Sequence, residues 1–118
     1  MPPLADPVVR DKIALALRHR RTDVAWTQKA IEEMLRDLPF DNLTPSFARY
    51  IDDVLEAHVK GGGEINQVRE ISKDRENEFF YEFRITADGQ QVYVKAVLSD
   101  ELDPEPMMYV VSCHPGWR

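Results

Sequence analysis

The chain has 118 residues, of which 43% are apolar and 31% are charged. This length suits one domain and is too short for two, and the balance of apolar and charged residues is that of a folded protein rather than a disordered one. The formal net charge of −6 argues against an open basic surface for nucleic acid, because phosphate binding relies on clustered Lys and Arg.

Membrane insertion and metal binding are not expected. No apolar run approaches the roughly 20 residues of a membrane-spanning helix, and the first residues lack the basic and apolar segments of a signal peptide. The single cysteine, Cys113, cannot form an internal disulfide, so we predict a reducing, cytoplasmic location. The spacing of Cys113 from His19, His58 and His114 is not that of a zinc site, and we expect neither a metal nor a cofactor.

The first helix is predicted over about residues 7–20. Asp6 is a favourable N-cap and Pro7 fits the first helical position, where its missing N–H costs nothing. The basic run at 18–21 either complements the negative end of the helix dipole or forms a basic edge for an acidic partner or an RNA backbone. Trp26, which follows this helix, is predicted to anchor the core or a junction rather than to serve as a binding platform.

Two more helices are predicted in the first half of the chain. Thr27 is an N-cap for a helix that runs to about residue 38, where a proline follows and ends it. Thr44 and Pro45 repeat the arrangement of cap and proline and predict a helix over about 44–60. The glycines at 61–63 close this helix rather than follow a strand, so a helix C-cap explains them better than a phosphate-binding loop does.

Residues 78–98 carry the strongest structural signal in the chain, a β-hairpin around Asp88 and Gly89. Two runs rich in β-branched and aromatic residues flank this pair, which favours a two-residue type I′ turn. Centring the turn on the pair fixes the register of the two strands. The residues that face each other are then Ala87 and Gln90, Ile85 and Val92, Arg84 and Tyr93, Phe83 and Val94, and Glu82 and Lys95.

The same register divides the hairpin side chains between two faces, because successive side chains of a strand point to opposite sides of a sheet. The apolar face is predicted to belong to the core, and the polar face to be open to solvent and to chemistry. The apolar face carries Tyr81, Phe83, Ile85, Val92, Val94 and Ala96. The polar face carries Glu82, Arg84, Tyr93 and Lys95.

Further strands are predicted on either side of the hairpin. Residues 64–70 alternate irregularly, which indicates an edge strand or a bulge. Residues 107–114 are apolar on both faces, which is typical of a central strand. Charged loops at 73–78 and 99–106 separate these strands from the hairpin.

The order of the elements predicts a single α+β domain over residues 1–118. Its helical part occupies residues 1–60 and its antiparallel sheet residues 64–115. Three N-terminal helices are expected to pack on one face of a sheet of three or four antiparallel strands that contains the 78–98 hairpin.

The last two strands resemble those of a known family. Residues 92–98 read Val-Tyr-Val-Lys-Ala-Val-Leu, and after an acidic loop residues 109–115 read Tyr-Val-Val-Ser-Cys-His-Pro. This pattern resembles the closing strands of the RelE-like superfamily of small ribonuclease toxins, above all the MqsR-type toxins and related uncharacterised domains, and it covers about residues 64–115. The resemblance implies a metal-independent endoribonuclease of toxin–antitoxin type, with an mRNA substrate and an antitoxin-like protein partner.

The resemblance also implies a set of site residues. In such toxins the ribose 2′-hydroxyl of the RNA attacks the adjacent phosphate, which requires a proton acceptor, a cation and an acid for the leaving oxygen. Tyr93 and Lys95 match the lysine-bearing strand of the family, and His114 matches the basic end of its last strand. Arg84 is added by the hairpin register, because it faces Tyr93. Arg84, Tyr93, Lys95 and His114 are therefore the candidate catalytic residues.

A non-catalytic interaction domain on the same fold is the alternative function. The chain is acidic, Glu82 is expected to pair with Lys95 across the hairpin, and Arg84 with Tyr93 forms a cation–π or stacking pair. The family histidine near the start of the second helix is replaced by the sequence Thr-Gln-Lys-Ala at 27–30. Both functions remain open at this point.

Overall fold

The structure is a computed structural model that describes residues 4–71, 79–99 and 106–116. It confirms the α+β class. The predicted loops at 73–78 and 99–106 lie mostly outside the described residues. In chain order the elements are α1 (Pro7–Arg18), α2 (Arg20–Asp23), β1 (Val24–Trp26), α3 (Gln28–Asp37), α4 (Phe47–Lys60), β2 (Asn66–Arg69), β3 (Phe79–Ala87), β4 (Gln90–Leu98) and β5 (Met108–Pro115).

The strands form one mixed sheet in the order β1-β5-β4-β3-β2. The neighbours from β5 to β2 are antiparallel, but β1 pairs in parallel with β5, with Ala25 opposite Tyr109. The prediction of three or four antiparallel strands is therefore corrected to five strands with one parallel pair. Three residues are too few to show strand alternation, which is why β1 was missed. β2 lies at an edge and β5 has a neighbour on each side, as predicted.

The described residues contain four helices rather than the three predicted, and two helix boundaries also differ from the prediction. α1 ends at Arg18, and a separate turn of helix, α2, follows it. α4 begins at Phe47 rather than at Thr44, because the Thr44 hydroxyl hydrogen-bonds the Ser46 hydroxyl at 2.6 Å and does not cap the helix. The other caps agree with the prediction: Asp6 accepts a hydrogen bond from the Val9 amide of α1, and α3 begins after its predicted N-cap, Thr27.

The hairpin is confirmed in turn type and in register. Asp88 and Gly89 have φ values of +48° and +80°, as a type I′ turn requires. All five predicted facing pairs between β3 and β4 are present. The apolar face is buried, with Phe83 and Val94 at 0% exposure.

We expect Gly89→Val to lower the free energy of unfolding by about 1–3 kcal/mol. A Cβ at this position would meet no atom within 4 Å, so the cost arises from forcing a β-branched residue to positive φ and not from a clash. Gly89→Asn is the matched control, because asparagine tolerates the left-handed conformation. Urea unfolding measures the difference, and equal midpoints for the valine variant and the wild type would contradict the turn.

The core lies between the apolar face of the sheet and the helices. α4 packs on β3, α1 packs on α4, and α3 packs against β5. Ile13 of α1, Met34 of α3 and Ile51 of α4 are each fully buried in this core. The polar face of the hairpin lies on the opposite side of the sheet. No helix in the described parts of the chain is long and apolar enough to cross a membrane.

Candidate functional site

The polar face of the sheet carries three candidate residues in one row across β3, β4 and β5. Arg84 faces Tyr93, and Tyr93 in turn faces His114. The Tyr93 and His114 rings stack with their centroids 4.6 Å apart. The guanidinium carbon of Arg84 lies 5.4 Å from the centroid of the Tyr93 ring, within cation–π range. We call these three residues the polar row; they combine a cation, a phenol and an imidazole.

The imidazole of His114 is held in one tautomer. Its Nδ1 lies 2.8 Å from the backbone carbonyl oxygen of Pro115. A carbonyl oxygen only accepts hydrogen bonds, so Nδ1 carries the hydrogen in the neutral ring and Nε2 carries the lone pair. Nε2 is therefore the atom of His114 that can take up a proton.

Lys95 lies beside the polar row, but its ion pair differs from the prediction. It faces Glu82 as expected, yet its Nζ lies 3.9 Å from a carboxylate oxygen of Glu70 and 4.1 Å from the centroid of the Phe80 ring. Glu82 instead accepts a hydrogen bond from the Tyr93 hydroxyl. The predicted pair of Glu82 with Lys95 is thus wrong, because Glu70, directly after β2, reaches the same ammonium group.

The hydroxyl of Tyr93 is a proton donor and not a base. Burial, together with the hydrogen bond to Glu82, raises the pKa of Tyr93 above its ordinary value. The phenol consequently keeps its proton at neutral pH. Tyr93 can hold Glu82 in place and support the His114 ring by stacking, but it cannot accept the proton of a nucleophile.

Glu33 of α3 contributes a carboxylate that the sequence did not indicate. One of its oxygens accepts hydrogen bonds from the Ser112 hydroxyl at 2.5 Å and from the Cys113 amide at 2.8 Å. Burial, and then the nearby Glu33, raise the pKa of Cys113 to about 12, so this thiol is not a nucleophile at neutral pH. The sequence did not indicate this role because Glu33 lies on an amphipathic helix next to another glutamate, a pattern that is typical of a solvent-exposed face.

A second candidate site is a cleft of about 780 Å³ between the α2–β1 segment and the start of α4. We call it the Trp26 cleft. The basic run predicted at 18–21 contributes two of its residues, and α4 contributes one arginine and two aspartates. The lining consists of Arg20, Arg21, Val24, Trp26, Pro45, Ser46, Ala48, Arg49, Asp52 and Asp53.

Asp52 is a buried carboxylate within this cleft, with 6% exposure. Its Oδ1 accepts a hydrogen bond of 2.9 Å from the indole Nε1 of Trp26. Burial raises the pKa of Asp52 to about 6. Trp26 is half-buried and joins β1 to α4 as a junction anchor, as predicted, but it also lines the cleft.

Neither site contains an evident metal centre. Within residues 4–71, 79–99 and 106–116, no group of three or more His, Cys, Asp or Glu side chains is placed to hold a metal ion. No protein-family model, curated protein or solved structure matches the chain. The functional assignment therefore depends on the geometry of the two sites and on the resemblance of the strand residues.

Proposed function

We propose that the protein is a small metal-independent endoribonuclease of toxin–antitoxin type that cleaves mRNA. The observation that supports this function is the polar row, in which the guanidinium of Arg84 and the imidazole of His114 flank the ring of Tyr93. A cation beside a proton acceptor on a partly exposed sheet face is what cleavage of RNA without a metal requires.

The proposed reaction assigns one task to each residue. Nε2 of His114 accepts the proton of the ribose 2′-hydroxyl, whose oxygen attacks the adjacent phosphorus. Arg84 balances the negative charge that grows on the phosphoryl oxygens, and Tyr93 holds the imidazole by stacking. The ammonium group of Lys95 gives a proton to the leaving 5′-oxygen. The products are a 2′,3′-cyclic phosphate and a 5′-hydroxyl.

The partners proposed with this activity are a single-stranded RNA substrate and an antitoxin-like protein. The net charge of −6 opposes RNA binding outside the polar row, so the substrate contact has to be local and sensitive to salt. An antitoxin-like protein would neutralise the enzyme by covering Arg84 and His114.

A non-catalytic interaction domain is the second candidate function. It is favoured by the internal partners of the candidate residues: Lys95 lies against Glu70 and Phe80, and Tyr93 donates to Glu82. Pairs of this kind also stabilise an ordinary exposed sheet face, each by at most about 1 kcal/mol.

We expect the wild type to cleave a short single-stranded RNA at low salt with EDTA present, and His114→Ala to slow cleavage by about 10²–10⁴-fold. Arg84→Ala should cause a loss of similar size, because it removes the guanidinium that balances the charge growing on the phosphoryl oxygens. Lys29→Ala, which removes an exposed cation from α3, is the matched control and should cleave normally. Detection of a 2′,3′-cyclic phosphate end identifies the mechanism.

Glu70→Gln separates the two functions. If Lys95 acts on RNA, loss of the Glu70 charge frees its ammonium group and should raise RNA affinity, whereas a purely structural pair predicts no effect on RNA. Circular dichroism shows whether each variant is folded. Intact RNA after incubation with folded wild type, together with normal growth when the protein is expressed, would reject the enzyme and leave the interaction domain.

A further inference from the structure

We propose that the Trp26 cleft is a binding site for a nucleoside monophosphate whose base carries an exocyclic amine. The cleft volume of about 780 Å³ lies within the usual range of small-ligand sites. Its lining combines three features that such a ligand needs: free cations for a phosphate, an aromatic wall for a base, and a carboxylate oxygen without a hydrogen bond for an amine.

The cations are Arg21 and Arg49, both exposed at the cleft. Among the described residues neither guanidinium has a hydrogen-bond or ion-pair partner. Arg20 differs, because it pairs with Asp53 at 2.5 Å and with Glu56 at 3.2 Å. Two unpaired guanidinium groups on neighbouring elements favour an anion, and the fork of donors on each matches a phosphate.

The acceptor is the second carboxylate oxygen of Asp52. Oδ1 is occupied by the Trp26 indole, whereas Oδ2 makes no hydrogen bond within the described parts of the chain and is not fully enclosed, although Asp52 as a whole is only 6% exposed. Because Asp52 lines the cleft, a ligand N–H group that enters the cleft can donate a hydrogen bond to this oxygen, and a carboxylate is a strong hydrogen-bond acceptor. A carboxylate attracts N–H groups and repels phosphate. The ligand phosphate should therefore contact Arg21 and Arg49, and the exocyclic amine of the base should donate a hydrogen bond to Asp52.

The aromatic wall is Trp26, whose indole is fixed at its N–H end by Asp52 and lines the cleft. Stacking on a tryptophan is available to any base, so the base preference has to come from Asp52. Adenine, guanine and cytosine each present an exocyclic amine. Uracil presents a single N–H between two carbonyl oxygens, which a carboxylate repels.

This proposal does not depend on ribonuclease activity. The cleft residues belong to other elements than the polar row, and binding is measured without cleavage. Failure of either proposal can therefore be recognised while the other stands.

The test is a titration of the full chain with AMP, adenosine, inorganic phosphate, ribose 5-phosphate and UMP. Isothermal calorimetry is applied to the wild type. Fluorescence is applied to Trp117→Phe, in which Trp26 is the only remaining tryptophan. We expect saturable AMP binding that changes Trp26 emission. Affinity for the other four ligands should be weaker by about tenfold or more, because each lacks the phosphate, the base or the amine.

Two variants assign the contacts. The double variant Arg21→Ala, Arg49→Ala should bind AMP about tenfold or more weakly and adenosine with unchanged affinity. The control is the double variant Lys29→Ala, Arg36→Ala on α3, which should bind AMP normally. Asp52→Asn keeps the size of the side chain. It should lower the affinity for AMP and reduce the preference for AMP over UMP. No saturable binding at millimolar AMP would overturn the proposal. The proposal would also be overturned if inorganic phosphate bound as tightly as AMP, or if the double arginine variant kept the wild-type affinity for AMP.

Discussion

Phe83→Ala is expected to lower the free energy of unfolding by about 3–5 kcal/mol. Phe83 is 0% exposed and faces Val94 across the hairpin. On its other side the His58 ring of α4 meets it edge-on, with the centroids 6.4 Å apart. Truncation would therefore leave a cavity between the sheet and α4 that neither element can close without moving the other.

Thr86→Ala is the matched control for this prediction, because Thr86 lies on the same strand with its side chain exposed. It should change the free energy of unfolding by less than about 0.5 kcal/mol. Urea unfolding is the measurement. If Phe83→Ala does not fold, Phe83→Leu keeps most of the volume and should cost less than the alanine variant. Equal effects of Phe83→Ala and Thr86→Ala would show that the two faces of β3 are assigned wrongly.

The turn and the register of the hairpin could be predicted because their determinants are local. Asp88 and Gly89 supply the two positive φ values of the turn, and a two-residue turn leaves one register for the strands. Alternation then assigns every side chain to a face. By contrast, β1 depends on pairing with β5, which lies more than eighty residues later in the chain. The three residues of β1 are too few to indicate such a partner.

The candidate site was predictable only as far as one hairpin extends. The pairing of Arg84 with Tyr93 follows from the turn, whereas the stacking of His114 on Tyr93 requires β5 to lie beside β4. The carboxylate of Glu70 reaches Lys95 from the end of β2, so a prediction based on the hairpin alone gave Lys95 the wrong partner. Long-range strand order decides both contacts.

The Trp26 cleft escaped prediction for a related reason. Asp52 and Asp53 are adjacent acidic residues on a helix, and such a pair is typical of a solvated face. Asp52 is buried because β1 brings Trp26 over it, and that contact joins residues 26 positions apart. A buried carboxylate is unusual enough to mark a site, but only the packing of β1 against α4 reveals it.

Asp52→Asn is expected to stabilise the protein above pH 6 and to have little effect near pH 4. Burial raises the pKa of Asp52 from 3.8 to about 6, against smaller opposing effects of the Trp26 hydrogen bond and of Arg20; neighbouring Asp53 raises it further. The folded protein therefore binds this proton more tightly than the unfolded chain does. Unfolding releases the proton between about pH 4 and pH 6, so the free energy of unfolding falls as pH rises through this window.

The expected size follows from the same values. Above pH 6 the folded wild type holds a buried charge at a cost of about 3 kcal/mol, whereas an amide at position 52 is neutral at every pH and can still accept the Trp26 hydrogen bond. The free energy of unfolding of Asp52→Asn, relative to that of wild type, should thus be about 2–3 kcal/mol higher at pH 8 than at pH 4.

Urea unfolding at both pH values measures this difference. The control is Asp41→Asn, which changes an exposed residue and should stay within about 0.5 kcal/mol of wild type. A stability difference for Asp52→Asn that is the same at pH 4 and pH 8 would mean that Asp52 is solvated in the folded protein and that its contact with Trp26 does not bury it.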